Sequence, residues 1–174
     1  MFFSAVSAVS AVRRYFFPTR MIITHSEEET AAVGRELAPS LAAGDSVLLY
    51  GDLGAGKTAF VRGLAEGLGV ERGEVSSPTF TLVQEYRGGR LVLFHVDLYR
   101  IDVPREIDDL GLEDIAADGV LAIEWAEKLE GAARLKASRS WNAVAVRIEH
   151  GNDDTRTIHI TKSPTHQVTN YSDR

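Results

Sequence analysis

Apolar and polar positions along the chain alternate with two periods. From Ser26, SEEETAAVGRELAPSLAAG places Ala32, Val33, Leu37 and Leu41 on one helical stripe. Ser26 stands at the N-cap, and Glu29 three residues on completes a capping box; Pro39 predicts a bend or an end. SVLLY (46–50) is a short apolar run that suits a strand covered on both faces, and TAFVRGLAEGL from Thr58 predicts a second helix. In SSPTFTLVQEY (76–86) Pro78 fixes a turn, after which Phe80, Leu82 and Val83 predict an alternating strand. RGGR (87–90) then reads as a hairpin turn into an antiparallel strand, Leu91–Val96, closed by Asp97. Val120–Ile123 is another apolar run, closed by Glu124. NAVAVRIEHGNDDTRTIHIT predicts two strands around Gly151–Asp154, a hairpin extending the sheet at an edge. Covered strands interleaved with helices, with GDLGAGKT (Gly51–Thr58) standing between the SVLLY run and the helix after it, predict an α/β fold, a three-layer sandwich of the phosphate-loop NTPase kind. Its central sheet is expected to be mostly parallel, with antiparallel edge strands.

Composition narrows the function classes. At 174 residues and 44% apolar, the chain can bury a full core, which excludes a disordered tail. Without cysteine there is no disulfide framework, thiolate nucleophile or cysteine-ligated metal centre. The net charge is -6, and the first twenty residues hold Arg13, Arg14 and Arg20 but no acid, so residues 21–174 are more acidic still. That balance argues against a non-specific nucleic-acid coat, and DNA is not an expected partner. No apolar run approaches the ~20 residues that span a bilayer, so no membrane association of the domain is expected. The opening MFFSAVSAVSAVRRYFFPTR fits an organelle transit peptide, a membrane-surface anchor, or residues upstream of a start at Met21; the strand-like Ile22–Ile23 and the helix start that follow favour the last. The expected division is an appended segment 1–20, a nucleotide-binding domain 21–161 and a polar tail 162–174.

The chemistry lies in GDLGAGKT, Gly51–Thr58, which satisfies G-x-x-x-x-G-K-[ST] after a buried strand and before a helix. Gly51, Gly54 and Gly56 allow successive backbone N–H groups to aim inward at a polyphosphate. Lys57 supplies a point charge for the terminal phosphates, and the Thr58 hydroxyl can ligate Mg2+. A metal-orienting acid is needed at a neighbouring strand end, and both Asp97 and Glu124 qualify, each with the alternative of an ordinary strand-end carboxylate. His95 reads as a packed or hydrogen-bonded strand residue, since no other histidine stands at metal-ligand spacing. Thr79 suits either a phosphate-sensing hydroxyl or a plain turn. Asp108–Gly111 matches D-x-x-G but follows VPREI rather than a buried strand, and no Asn/Thr-Lys-x-Asp string occurs, so ATP is expected rather than GTP. Trp125 lies either by the nucleotide or in the core.

In this order and spacing, GDLGAGKT, SPTFTLVQEY, HVDLYR, EIDDLGLED and IEWAEKL resemble the bacterial TsaE (YjeE) family, the ATPase of tRNA threonylcarbamoyladenosine biosynthesis; the likeness runs from Thr24 to Leu129. The resemblance implies a small cytoplasmic ATPase that works with TsaB and TsaD, touches tRNA indirectly and leaves the threonylcarbamoyl transfer to TsaD. It implies that Leu53, Gly54, Ala55, Gly56, Lys57 and Thr58 bind the phosphates and that Thr58 and Glu124 bind Mg2+. Thr79 would then belong to the phosphate-sensing loop, Asp97 would serve hydrolysis with Lys57 and Glu124, and Ser26 and Glu27 would lie near the adenosine. The first twenty residues and the tail after Thr161 have no counterpart in the family's compact form. Two readings of other classes compete: a small-molecule kinase with Arg134, Lys136 and Arg139 as lid cations, and a nucleotide-gated binding module in which hydrolysis is incidental. The motifs contain no second catalytic cation beyond Arg100 in DLYR, so a partner surface is expected to complete the site.

Overall fold

Seven strands and four α-helices follow one another through residues 19–71, 75–131 and 142–163, the parts of the chain that the computed structural model describes. Strand β1 (Arg20–Thr24) leads to Ser26, whose Oγ accepts from the Glu29 amide at 3.1 Å and caps α1 (Glu27–Leu37). The Glu29 carboxylate accepts from the His25 amide at 2.7 Å, so the capping box closes one residue earlier than the motif predicts. Helix α1 ends just before Pro39, inside a 3-10 turn at Ala38–Ser40.

The buried face of α1 is Thr30, Ala31, Val33 and Gly34, while Ala32 and Leu37 are only half-buried, so the stripe is rotated from the expected one. The cause is its neighbour α2 (Lys57–Leu68), against which α1 packs backbone to backbone. A Cβ on Gly34 would lie 2.2 Å from the Phe60 carbonyl oxygen, and one on Gly63 would lie 1.7 Å from that of Ala31. Small residues, not leucines, therefore set the contact.

The remaining elements are β2 (Asp45–Tyr50), β3 (Val83–Tyr86), β4 (Val92–Asp97), α3 (Pro104–Asp109), α4 (Leu112–Ala116), β5 (Gly119–Glu124), β6 (Asn142–His150) and β7 (Arg156–Ser163). They form one sheet in the order β1-β7-β6-β2-β5-β4-β3. The pairs β6–β2, β2–β5 and β5–β4 are parallel; β1–β7, β7–β6 and β4–β3 are antiparallel. Half of the pairings, rather than most, are thus parallel, and these form the centre. The β6–β7 hairpin does not end the sheet: β6 joins β2 inside it, and β1, the short run before α1, pairs with Arg156–Ile160 of β7 and becomes the edge. Phe80 is not in a strand. The amides of Thr81 and Leu82 both donate to the Pro78 carbonyl, Leu82 takes a φ of 65°, and Phe80 is 84% exposed, so β3 begins only at Val83.

Alternation along the strands separates two cores. Val47, Leu49 and Val120 face α1 and α2 with Phe60, Leu64 and Leu68; Leu48, Leu121 and Ile123 face α3 and α4 with Ile107 and Leu112. The result is an α/β sandwich with helices on both faces of the sheet. Among the described residues no helix is long and apolar enough to cross a membrane. The expected lid cations Arg134, Lys136 and Arg139, residues 1–18 and residues 164–174 lie outside the described residues.

Candidate functional site

Strands β2, β4 and β5 all end at the same side of the sheet, and a cleft of about 260 Å³ opens there. Its floor is the loop between β2 and α2. Gly51 takes a φ of 141° and sits so close to β6 that a Cβ would lie 2.3 Å from the Ile148 carbonyl oxygen. Gly56, at φ 106°, starts α2 in a left-handed conformation that glycine adopts without strain. Helix α1 begins with a serine cap and three acids; α2 has no side-chain cap and no acid in its first turn. Its first amides and the positive end of its dipole are left for an anion.

Lys57 is 4% exposed and its Nζ donates to the carbonyls of Gly51 (2.6 Å) and Asp52 (2.9 Å). The same Nζ lies 4.0 Å from the centre of the Trp125 ring. Burial pushes the Lys57 ammonium below the ordinary lysine range, with Glu124, Glu127, Asp97 and Asp52 opposing the shift. Trp125 takes a φ of 60°, an uncommon conformation for a bulky residue, in the step that follows Glu124. The Tyr99 ring lies 5.0 Å from it.

The two strand-end acids have separate partners. The Thr58 hydroxyl donates to Glu124 Oε1 at 2.8 Å, and His95 Nε2 reaches the same oxygen at 2.9 Å. His95 is fully buried and hydrogen-bonded, as its isolation from other histidines suggests. Asp97 Oδ2 accepts from Thr79 (2.6 Å) and Ser77 (2.9 Å), and its Oδ1 accepts from the Tyr99 amide (2.9 Å). Among the described residues no group of three or more His, Asp or Glu is placed to hold a metal by itself. A threonine hydroxyl beside one carboxylate fits Mg2+, a hard cation that takes its remaining ligands from phosphate oxygens and water.

Glu27, Leu53, Gly54, Gly56, Lys57, Thr58, Thr79, Asp97, Glu124 and Trp125 all line this cleft. Ser26 does not: its side chain is committed to the α1 cap. Ala55 is buried under the loop, and its amide donates to the Asp52 carbonyl instead of pointing into the cleft. The Arg100 guanidinium lies 4.3 Å from the centre of the exposed Phe80 ring and is absent from the cleft lining. Asp108 and Asp109 end α3 and Gly111 starts α4, away from the cleft.

Sequence reasoning missed Arg62, Ser77 and Tyr99, which also line it. Arg62 follows Thr58 by one helical turn, a spacing that could have flagged it, and lies 3.8 Å from Glu27 across the α1–α2 junction. Ser77 stands beside Pro78 in what reads as a plain turn, and nothing in the string marks its hydroxyl as aimed at Asp97.

The family model described as "Threonylcarbamoyl adenosine biosynthesis protein TsaE" matches residues 24–158. The tRNA threonylcarbamoyladenosine biosynthesis protein TsaE of Bacillus subtilis (strain 168) is 42% identical over 139 residues, which cover 79% of this chain and 82% of that one. Its namesake from Nostoc sp. (strain PCC 7120) is 40% identical over 145 residues, covering 80% and 84%. The crystal structure of Bacillus subtilis YdiB superposes with a TM-score of 0.65 at 34% identity, over 84% of this chain and 87% of that one. With matched residues that include every cleft-lining group just described, this chain belongs to the TsaE family.

Proposed function

We propose that the chain binds ATP and Mg2+ in this cleft, hydrolyses the nucleotide slowly in the cytoplasm, and so serves threonylcarbamoyl modification of adenosine in tRNA together with TsaB and TsaD. The observation that carries the reading is the convergence, on one cleft, of the uncapped start of α2, buried Lys57 and the Thr58–Glu124 pair. The first amides of α2 take phosphate oxygens, and Lys57 exchanges its two loop carbonyls for the terminal phosphates. Thr58 and Glu124 hold Mg2+, which supplies positive charge to the phosphates. Asp97 keeps the Ser77 and Thr79 hydroxyls at the cleft wall, where they and the carboxylate orient the attacking water.

The tRNA role rests on the names of the relatives, and the acidic chain suits an indirect contact with tRNA. Of the arginines near the cleft, Arg62 lines it 3.8 Å from exposed Glu27, a contact too weak to commit it, and Arg100 lies over exposed Phe80 outside the lining. The partner complex is the source of the extra positive charge on the transferring phosphoryl group, worth ~10³–10⁵ in rate.

Phosphate release by the chain alone and with TsaB or TsaD omitted in turn tests the proposal. Slow release alone and acceleration by the full set are expected, with modification supported by ATP and not by a non-hydrolysable analogue. Full-speed hydrolysis by the isolated chain would overturn the partner role. Transfer of the phosphate to a small-molecule acceptor would overturn the ATPase reading.

A further inference from the structure

We propose that His95 is a positioning residue: by donating from Nε2 to Glu124 Oε1 it holds that carboxylate in the orientation that Mg2+ requires. The inference rests on the reading of Thr58 and Glu124 as the magnesium pair.

Leu93, His95 and Asp97 share the face of β4 that looks toward α2, and Glu124 lies on the same face of β5. Ala122 is the register partner of His95, and its small side chain leaves room for an imidazole to lean along the sheet to Glu124. The ring is fully buried, and its other nitrogen, Nδ1, has no hydrogen-bond partner. A leucine would fill this slot without stranding a polar atom, so packing alone does not account for a histidine here. The contact with Glu124 does.

A carboxylate oxygen only accepts, so the proton lies on Nε2. Thr58 on α2 and His95 on β4 thus deliver two donors to one oxygen, which fixes the torsion of the Glu124 side chain and leaves Oε2 for a cation. The Thr58 oxygen is itself needed by the metal, whereas His95 serves Glu124 alone. Donors of this second layer commonly set metal affinity by 10–100-fold when removed.

The test is titration of the full chain with a non-hydrolysable ATP analogue across a Mg2+ series and in a chelator. His95→Leu is expected to raise the Mg2+ needed for half-maximal tight binding by ~10–100-fold and to leave affinity in the chelator unchanged. His95→Gln, whose amide nitrogen can occupy the place of Nε2, should recover most of the loss; His95→Asn, one methylene shorter, should not. An unchanged Mg2+ requirement in a folded His95→Leu, or an equal loss with and without Mg2+, overturns the proposal. Should His95→Leu fail to fold, the Gln and Asn variants decide it, and equal Mg2+ requirements in the two overturn it. Wild-type binding that ignores Mg2+ would instead refute the magnesium reading of Thr58 and Glu124, and the positioning role with it.

Discussion

Asp97 and Glu124 are register partners across β4 and β5, yet each carboxylate is held by its own donors. Thr58 and His95 reach Glu124, whereas Ser77, Thr79 and the Tyr99 amide reach Asp97. One acid is tied to the start of α2, the other to the loop before β3. On the proposed function, two adjacent strand ends thereby separate holding the nucleotide from acting on it.

Replacing the two acids should therefore give different kinetic signatures. Glu124→Ala is expected to weaken Mg2+-dependent binding of a non-hydrolysable analogue. Asp97→Ala, which releases Ser77 and Thr79, is expected to lower turnover far more than affinity. Equal affinity losses in the two variants would remove the distinction.

Lys57 should control the response of stability to ligand. At a hundredfold excess of ATP and Mg2+ over the dissociation constant, binding should stabilise the fold by about 2.7 kcal/mol. Lys57→Ala is expected to abolish most of the corresponding rise in melting temperature. A full shift in the variant would refute the phosphate assignment.

The same lysine predicts a pH dependence. Its folded-state value is lowered by burial, so between that value and the ordinary one the unfolded chain binds more protons, and the ligand-free protein gains stability as pH rises through this window. Phosphate needs the charged form, so ATP affinity should move the opposite way. It should fall with rising pH, beginning below the range where a solvated lysine titrates. In Lys57→Arg, whose charge persists across this range, calorimetric titration should show the alkaline fall removed.

The α1–α2 contact predicts a cost at a position remote from the chemistry. Gly63→Ala would gain ~1 kcal/mol of helix propensity, but its Cβ would meet the Ala31 backbone oxygen at 1.7 Å. Backbone against backbone cannot rotate away, so a net loss at the upper end of the ~1–3 kcal/mol overpacking range is expected in denaturant titration. A neutral result would show that the helices can separate.

What was legible in the sequence was local. Ser26 and Glu29 announced α1, the glycine-rich octet announced the loop before α2, and an apolar run closed by one acid located both Asp97 and Glu124. The rest depended on partners far apart in the chain. Whether a hairpin lies at a sheet edge depends on which strand pairs beside it, and β1 is separated from β7 by more than a hundred residues. Phe80 fits an alternating pattern, but two amides bonded to the Pro78 carbonyl turn the chain before a ladder can start. Arg62, one turn after Thr58, meets Glu27 only once α1 is folded beside α2.

The glycine-mediated contact between α1 and α2 makes the cleft resemble a vice with one fixed jaw. Glu27 at the start of α1 and Lys57, Thr58 and Arg62 on α2 belong to two helices locked backbone to backbone, so their spacing is constant. Ser77, Thr79 and Tyr99 on the facing side belong to loops. On the proposed reading, ligands of different length, with or without a terminal phosphate, are therefore expected to be accommodated by displacement of the loop jaw, and Asp97, hydrogen-bonded to all three of those residues, is the point where such a displacement would reach the sheet.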